Sequence, residues 1–139
     1  MKTKIIVGFL FLITLVFSFG VYMYFKPSEK VVLAEALYEV NAESIYREFS
    51  DNETEANKKY LNKVITVEGK VSEMLTIDST GLNVTLSSDN PLFGVSCQLP
   101  METIKTKLKI GDDVRIKGLC TGKLMDVVLV RCVIEDYKN

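Results

Sequence analysis

The chain has 139 residues, with 17 Lys and Arg, 18 Asp and Glu, and neither histidine nor tryptophan. The absence of histidine removes the commonest general base and the commonest metal ligand, and so excludes most hydrolase triads. Residues 27–139 carry all 18 acidic residues but only 14 basic ones, and this net charge of −4 disfavours binding to nucleic-acid phosphates.

The chain begins with an apolar segment that is long enough to span a membrane. Residues 5–25 are uncharged, and these 21 residues at about 1.5 Å each match a hydrocarbon core of about 30 Å. The run exceeds the roughly 7 to 15 apolar residues of a signal peptide and lacks a small-residue cleavage site. The first cysteine, Cys97, is too distant to carry a lipid anchor. Residues 1–26 are therefore predicted to be an uncleaved signal anchor, with late cleavage as the alternative.

The charges beside this segment predict its orientation. Lys2 and Lys4 precede it, whereas Lys26, Glu29 and Lys30 nearly cancel after it. The positive-inside rule then places the N-terminus in the cytoplasm. We expect a single-pass protein of the inner (cytoplasmic) membrane, with a linker over residues 27–40 and an extracytoplasmic domain over residues 41–139.

Two short helices are predicted at the start of this domain. Asn41 and Asn52 each suit an N-cap, because a side-chain oxygen there accepts from a free backbone N–H of the first turn. Asn52 is followed three residues later by Glu55, which is the spacing of a capping box. The apolar residues expected on the buried faces are Ile45, Tyr46, Phe49, Ala56 and Tyr60.

After the helices the apolar period changes from 3.6 to 2, which predicts strands. The five predicted strands cover residues 64–71, 82–87, 94–99, 114–120 and 126–134. Gly69 interrupts the first strand and predicts a bulge or bend there. A short helix is predicted over residues 101–110, from the i, i+4 spacing of Ile104 and Leu108, and a turn near Gly122 and Lys123.

This order predicts a mainly β protein with a five-stranded OB-fold barrel. The barrel carries one helix between its third and fourth strands, and it is preceded by short N-terminal helices and one transmembrane helix. The alternative, an SH3-like barrel, has no helix of that length in that connection.

Four segments carry a more specific resemblance. They are NETEANKKY (residues 52–60), VITVEGKV (64–71), LKIGDDVRIKGLCTG (108–122) and DVVLVRCVI (126–134). Together they resemble the tRNA_anti-like family of bacterial OB-fold proteins, over roughly residues 41–136. The resemblance implies a fold similar to anticodon-binding OB domains, and it implies no catalytic residue set.

Uncharged polar residues occupy the outer positions of the second and third predicted strands. They are Asn83, Thr85, Ser96 and Gln98. Such side chains offer hydrogen bonds without charge, which suits a neutral ligand or the edge of a protein. The alternative is an ordinary solvated sheet face.

Nucleic acid is not expected as a partner. The second and third strands lack the aromatic residues on which bases would stack. This interpretation would change only if folding gathered four basic residues into one groove beside Phe93. These residues are Lys105, Lys109, Arg115 and Lys117.

Strand alternation directs Cys97, Cys120 and Cys132 toward the core. Cys97 and Cys132 lie near the C-terminal ends of strands that run parallel in an OB barrel, so any disulfide is expected between these two. The alternative is three buried, inert thiols. The adjacent carboxylates of Asp112 and Asp113 do not by themselves build a calcium site, so no metal or cofactor is predicted.

The sequence therefore predicts a membrane-anchored, extracytoplasmic OB-fold binding module without enzymatic activity. Its expected partners are the membrane, through residues 5–25, and a protein of the envelope or a small polar ligand. Two alternatives stay open. One is an OB domain that binds single-stranded nucleic acid or oligosaccharide, and the other is a thiol-dependent redox protein.

Overall fold

A computed structural model describes residues 12–20, 35–78, 81–104 and 107–138. The chain divides into two compact units, residues 1–30 and 31–139. In the first unit, residues 12–20 are helical and their apolar side chains are exposed. The rest of the predicted anchor lies outside the described residues. Within the described ranges, no helix has both the length and the apolar character needed to cross a membrane.

The second unit is built from strands with two short helices near its start. Its elements are β1 (Tyr38–Asn41), α1 (Ala42–Asp51), α2 (Glu53–Tyr60), β2 (Val64–Asp78), β3 (Gly81–Leu86), β4 (Val95–Pro100), β5 (Asp113–Lys123) and β6 (Val127–Lys138). Strand β2 pairs with both β3 and β5, β4 pairs with β3 and β6, and β5 pairs with β6. Strands β2 to β6 therefore close into a ring in which only β4 and β6 run parallel. The predicted five-stranded barrel of the OB type is confirmed.

The predicted helix caps are present. The side-chain oxygen of Asn41 accepts from the N–H of Glu43 at 2.9 Å, and that of Asn52 accepts from the N–H of Glu55 at 3.2 Å. Each cap satisfies one backbone donor that the first turn leaves without a partner. The predicted apolar faces of both helices are buried against the barrel.

Helix α1 packs directly on β2 because Gly69 has no side chain. A Cβ atom at Gly69 would lie 2.9 Å from Cβ of Ala42 and 3.3 Å from Cβ of Leu86. The irregularity predicted at this glycine is thus a close approach of helix to strand. The register of β2 against β3 shifts just beyond it, between Val71 and Glu73.

The helix predicted over residues 101–110 is wrong in extent. The structure has one turn of 3-10 helix at Met101–Thr103, residues 107–109 have no regular structure, and residues 105–106 lie outside the described ranges. Pro100 supplies no side-chain cap, and a helix this short does not recover its nucleation cost. Ile104 and Leu108 nevertheless pack against the core, as their spacing indicated.

The turn predicted near Gly122 and Lys123 is also misplaced. Both residues belong to β5, and the chain turns at residues 124–126. Gly122 has a φ of +105° beside a register shift between β5 and β6. The glycine therefore serves a bulge within the strand, where the left-handed backbone region favours it.

Candidate functional site

The four predicted ligand-binding residues lie together on neighbouring antiparallel strands. Asn83 of β3 is directly opposite Gln98 of β4, and Thr85 is directly opposite Ser96. Gln98 is exposed, Asn83 and Thr85 are half-buried, and Ser96 is 8% exposed. The quartet thus forms two cross-strand pairs on one sheet face, because alternate residues of a strand share a face.

Two hydrogen bonds order this quartet. The hydroxyl of Ser96 donates to Oδ1 of Asn83 at 2.9 Å, across β4 and β3. The hydroxyl of Ser72 in β2 donates to the backbone carbonyl of Thr85 at 3.0 Å. With Oδ1 of Asn83 engaged, the Asn83 amide nitrogen serves as a donor toward an incoming acceptor.

Strand β2 extends the quartet with an apolar side chain. Leu75 is directly opposite Asn83, so Leu75, Asn83 and Gln98 form one row across three strands. Glu73 is opposite Thr85 and is the charged member of the second row. Leu75 is 54% exposed, so the face combines neutral hydrogen-bonding groups with accessible apolar surface.

Sequence reasoning missed Leu75 and Glu73 because the first barrel strand continues beyond Val71. Met74 lies opposite the buried Val84, whereas strict alternation from Val71 would have turned Met74 outward. The register shift after Val71 exchanges the two faces of the strand. The signal available in the sequence was the alternation of polar and apolar residues over residues 72–78. The sequence alone does not show which of these alternating residues face the core.

Two of the four basic residues considered for nucleic-acid binding are bound to carboxylates. Arg115 forms ion pairs with Glu39 at 3.2 Å and Glu68 at 2.9 Å. Lys117 pairs with Glu135 at 3.1 Å. Phe93 packs against the core, and Lys105 lies outside the described residues. Among the described members of the set, this leaves the exposed Lys109, and one lysine does not form a basic groove beside an exposed aromatic ring.

A concavity of about 390 Å³ lies on the outer side of β2 and β5, and its lining includes Asn41, Glu68, Asp113 and Arg115. Its lining contains both carboxylates and basic groups, and Arg115 is already bound to Glu68. Opposite charges that pair with each other leave little net field for a charged ligand. We therefore regard the quartet, and not this concavity, as the candidate site.

The three cysteines are buried. Hydrogen bonding to the neighbouring Cys132 thiol, together with complete burial, raises the pKa of Cys97 well above its usual value. Burial also raises the pKa of Cys120. A redox function needs an exposed thiol of low pKa, and Cys97 provides neither property. The disulfide between Cys97 and Cys132 stays a prediction.

Room for Cys132 comes from the opposite strand. A Cβ atom at Gly118 would lie 2.5 Å from Sγ of Cys132. The register between β5 and β6 shifts at this point, and Arg131 has a φ of 55°. Cys132 thus fills the space that Gly118 leaves open. Among the described residues, no group of three Cys, Asp or Glu side chains could hold a metal ion.

Comparison with known proteins bears on the fold and family. The tRNA_anti-like family matches residues 1–134. No curated protein matches the chain. The fold is similar to that of a "putative nucleic acid-binding lipoprotein" from Klebsiella pneumoniae, with 15% identity and a TM-score of 0.56 over 79% of this chain and 99% of that one. At this identity the likeness is evidence for a shared fold alone.

Proposed function

This chain belongs to the tRNA_anti-like family, and from that premise we propose that it is a membrane-anchored, extracytoplasmic OB-fold binding module with no chemistry of its own. Its ligand is a neutral polar molecule or a protein of the envelope. The observation that carries the proposal is the pairing of Asn83 with Gln98 and of Thr85 with Ser96 on one sheet face.

The composition of this face sets the kind of ligand it suits. Its amide and hydroxyl groups donate and accept hydrogen bonds, each contributing about 0.5–1.5 kcal/mol when the exchange with water is included. The apolar surface of Leu75 adds to binding, because burying apolar area contributes roughly 25 cal/mol per Å². Anionic ligands are disfavoured here, since Glu73 is the charged side chain in the two rows.

The anchor is supported by the amino-acid sequence and by the described part of the first unit. Residues 5–25 contain no charged residue. Residues 12–20 form a helix that exposes large apolar side chains, including Leu12, Val16 and Phe19. A helix made mostly of apolar side chains favours a lipid environment. Lys2 and Lys4 precede the segment, whereas Lys26, Glu29 and Lys30 nearly cancel after it, and this asymmetry supports a domain outside the cytoplasm.

Single-stranded nucleic acid is the second ligand to test, because OB barrels bind oligonucleotides on the corresponding sheet face. The quartet lacks the features that such binding uses. No aromatic ring lies on β3 or β4 for a base to stack on, and Arg115 and Lys117 are bound to carboxylates. A neutral ligand fits these side chains better.

The proposal is tested with full-length tagged protein purified from native membranes after chemical cross-linking. The double variant Asn83→Ala/Gln98→Ala removes the exposed row, and Ser44→Ala/Thr54→Ala is the matched control on the outer faces of α1 and α2. We expect the captured partner to be lost from the first variant and kept by the second. Equal capture by both would overturn the proposal, and salt-sensitive capture of oligonucleotides would favour the nucleic-acid alternative.

A further inference from the structure

Two loops are bonded to each other at one end of the barrel. They are residues 87–94, between β3 and β4, and residues 124–126, between β5 and β6. The N–H of Gly94 donates to Oδ1 of Asp126 at 2.7 Å, and the N–H of Val127 donates to the carbonyl of Gly94 at 3.0 Å. The loops meet in this way because β4 and β6 run parallel and begin side by side.

The tips of these loops carry large apolar side chains that face solvent. Leu92 is 80% exposed, Leu124 is 90% exposed and Met125 is 68% exposed. Residues 90–93 and 124–125 contain no charged side chain. A single exposed apolar residue is ordinary on a protein surface, whereas an exposed apolar group of this kind marks a contact with a partner or a membrane. We call these three residues the apolar tips.

The backbone donors of both loops are satisfied at the apolar tips. The N–H of Leu92 donates to Oδ1 of Asn90 at 2.8 Å. The N–H of Leu124 donates to the carbonyl of Asp126 at 3.1 Å. A donor without a partner would oppose entry into a lipid layer, because few water molecules are present there to accept from it. These loops can therefore leave water without stranding the two donors.

The carboxylates of the two loops are bound within the protein. Asp126 accepts from the N–H of Gly94, and Asp89 forms an ion pair with Arg47 of α1. A donor beside each carboxylate reduces its repulsion from the phosphates of lipid headgroups. The charges of the loops thus do not prevent their approach to a bilayer.

The chain enters the domain at this same end of the barrel. Leu37 precedes β1 and donates its N–H to the carbonyl of Val64, the first residue of β2, at 2.8 Å. Val64 pairs with Leu119 of β5, and β5 continues from there to the turn at residues 124–126. Leu37 is itself 66% exposed. The end of the barrel that follows the predicted anchor along the chain is therefore the end that carries the apolar tips.

We propose that this end of the barrel lies on the membrane surface, with Leu92, Leu124 and Met125 inserted between the lipid headgroups and the acyl chains. The inference rests on the membrane anchor of the proposed function. The 11 residues 26–36 lead from the predicted anchor to this end, and fully extended they span at most about 40 Å. Such a tether raises the local concentration of lipid, and insertion removes the apolar tips from water.

Fluorescence quenching of the full-length protein in vesicles tests this contact. Leu124→Cys is the test variant and Ile110→Cys is the control, each labelled with an environment-sensitive dye. Ile110 is 66% exposed and precedes β5, whereas Leu124 follows it, so a strand of 11 residues, roughly 35 Å of chain, separates them. The native cysteines are buried, so the added thiol is the accessible one. The vesicles contain phosphatidylcholine, phosphatidylglycerol and lipid with a nitroxide on its acyl chain, and iodide is the aqueous quencher.

We expect the nitroxide lipid to quench most of the fluorescence of the Leu124→Cys protein and little of that of the Ile110→Cys protein. Iodide should show the opposite order. In the Leu124→Cys protein, the further changes Leu92→Ser and Met125→Ser should reduce quenching by the nitroxide lipid, because they remove the other apolar tips. Met101→Ser, at a residue 42% exposed after β4, is the matched control and should leave the quenching unchanged.

Equal quenching of the two labelled proteins by the nitroxide lipid would overturn the proposal. Protection of the Leu124→Cys dye from iodide without quenching by lipid would also overturn it, because a second copy of the chain would then cover the apolar tips. Flotation of the same vesicles reports on the anchor separately. Protein that does not float would contradict both the anchor and the contact, whereas floating protein with an iodide-accessible dye at residue 124 would contradict the contact alone. No ligand is needed, so the result is independent of the capture experiment with Asn83→Ala/Gln98→Ala.

Discussion

The hydroxyl of Ser96 lies 2.9 Å from Oδ1 of Asn83 and donates a hydrogen bond to it across two strands of the barrel. Ser96 is nearly inaccessible, whereas Gln98, two residues further along β4, is exposed. The inner part of the candidate face is thus fixed within the protein, and its outer part is free to bind. Because Ser96 holds the side-chain amide of Asn83 in place, the N–H donors of that amide lose less conformational entropy when a ligand binds.

The first prediction concerns this hydrogen bond. Ser96→Ala leaves Oδ1 of Asn83 without its partner and lets the amide rotate. We expect a loss of about 1 kcal/mol in unfolding free energy, and about a fivefold loss of ligand affinity if orientation of the amide contributes as much again. Urea unfolding and quantitative capture measure the two effects. Unchanged capture would show that the orientation of Asn83 does not matter for binding.

The second prediction concerns the contact between α1 and β2. Gly69→Ala places a methyl group 2.9 Å from Cβ of Ala42, so we expect a destabilisation of about 1–3 kcal/mol from overpacking. Ala42→Gly removes that clash at a helix-propensity cost of about 1 kcal/mol. The double variant should therefore be more stable than the sum of the single effects predicts. Additive effects in thermal or urea unfolding would contradict the close approach.

Much of the candidate face was predictable from sequence, and its extension was not. Asn83 and Gln98 were placed correctly on the sheet because their strands are short, regular and bounded by turn residues. Leu75 was missed because the register shift after Val71 reverses which side chains face outward. A bulge depends on the pairing partner, and a single strand's sequence does not contain that information.

Other differences have the same origin in long-range contacts. Gly122 looks like a turn residue in sequence, but its positive φ serves a bulge that exists only because β6 lies beside β5. The parallel pairing of β1 with β2, in which Tyr38 lies opposite Ile65, joins segments without a hairpin signal. Local patterns predicted the elements, and tertiary pairing decided their ends and partners.

The third prediction concerns thiol reactivity. Cys97, Cys120 and Cys132 are buried, so we expect none of them to react with iodoacetamide in the folded protein at pH 8. Labelling after unfolding in urea without reductant then shows whether the predicted disulfide is present. One reactive thiol would support a bond between Cys97 and Cys132, and three would exclude it. Labelling of Cys97 in the folded protein would contradict its burial and would reopen the redox alternative.

The fourth prediction concerns alkaline pH under reducing conditions. Contact with Cys132 and burial raise the folded-state pKa of Cys97 above its unfolded value of about 8.5. The folded state therefore holds its proton where the unfolded state has lost it. The contribution of this thiol to the free energy of unfolding is therefore fully present below about pH 8.5. It is lost as the pH rises from there toward the folded-state pKa. Cys97→Ala should flatten this decline in urea unfolding between pH 7 and 10. An equal slope in both proteins would contradict the prediction.

The most direct test of the central claim is photo-cross-linking from the candidate face in living cells. Benzoylphenylalanine in place of Gln98 reports what touches the quartet, and the same residue in place of Thr54 reports on the outer face of α2. Our account predicts a defined adduct from position 98, identified by mass spectrometry, and none from position 54. The same adduct from both positions, or an adduct only from position 54, would contradict the assignment of the ligand to the Asn83 and Gln98 face.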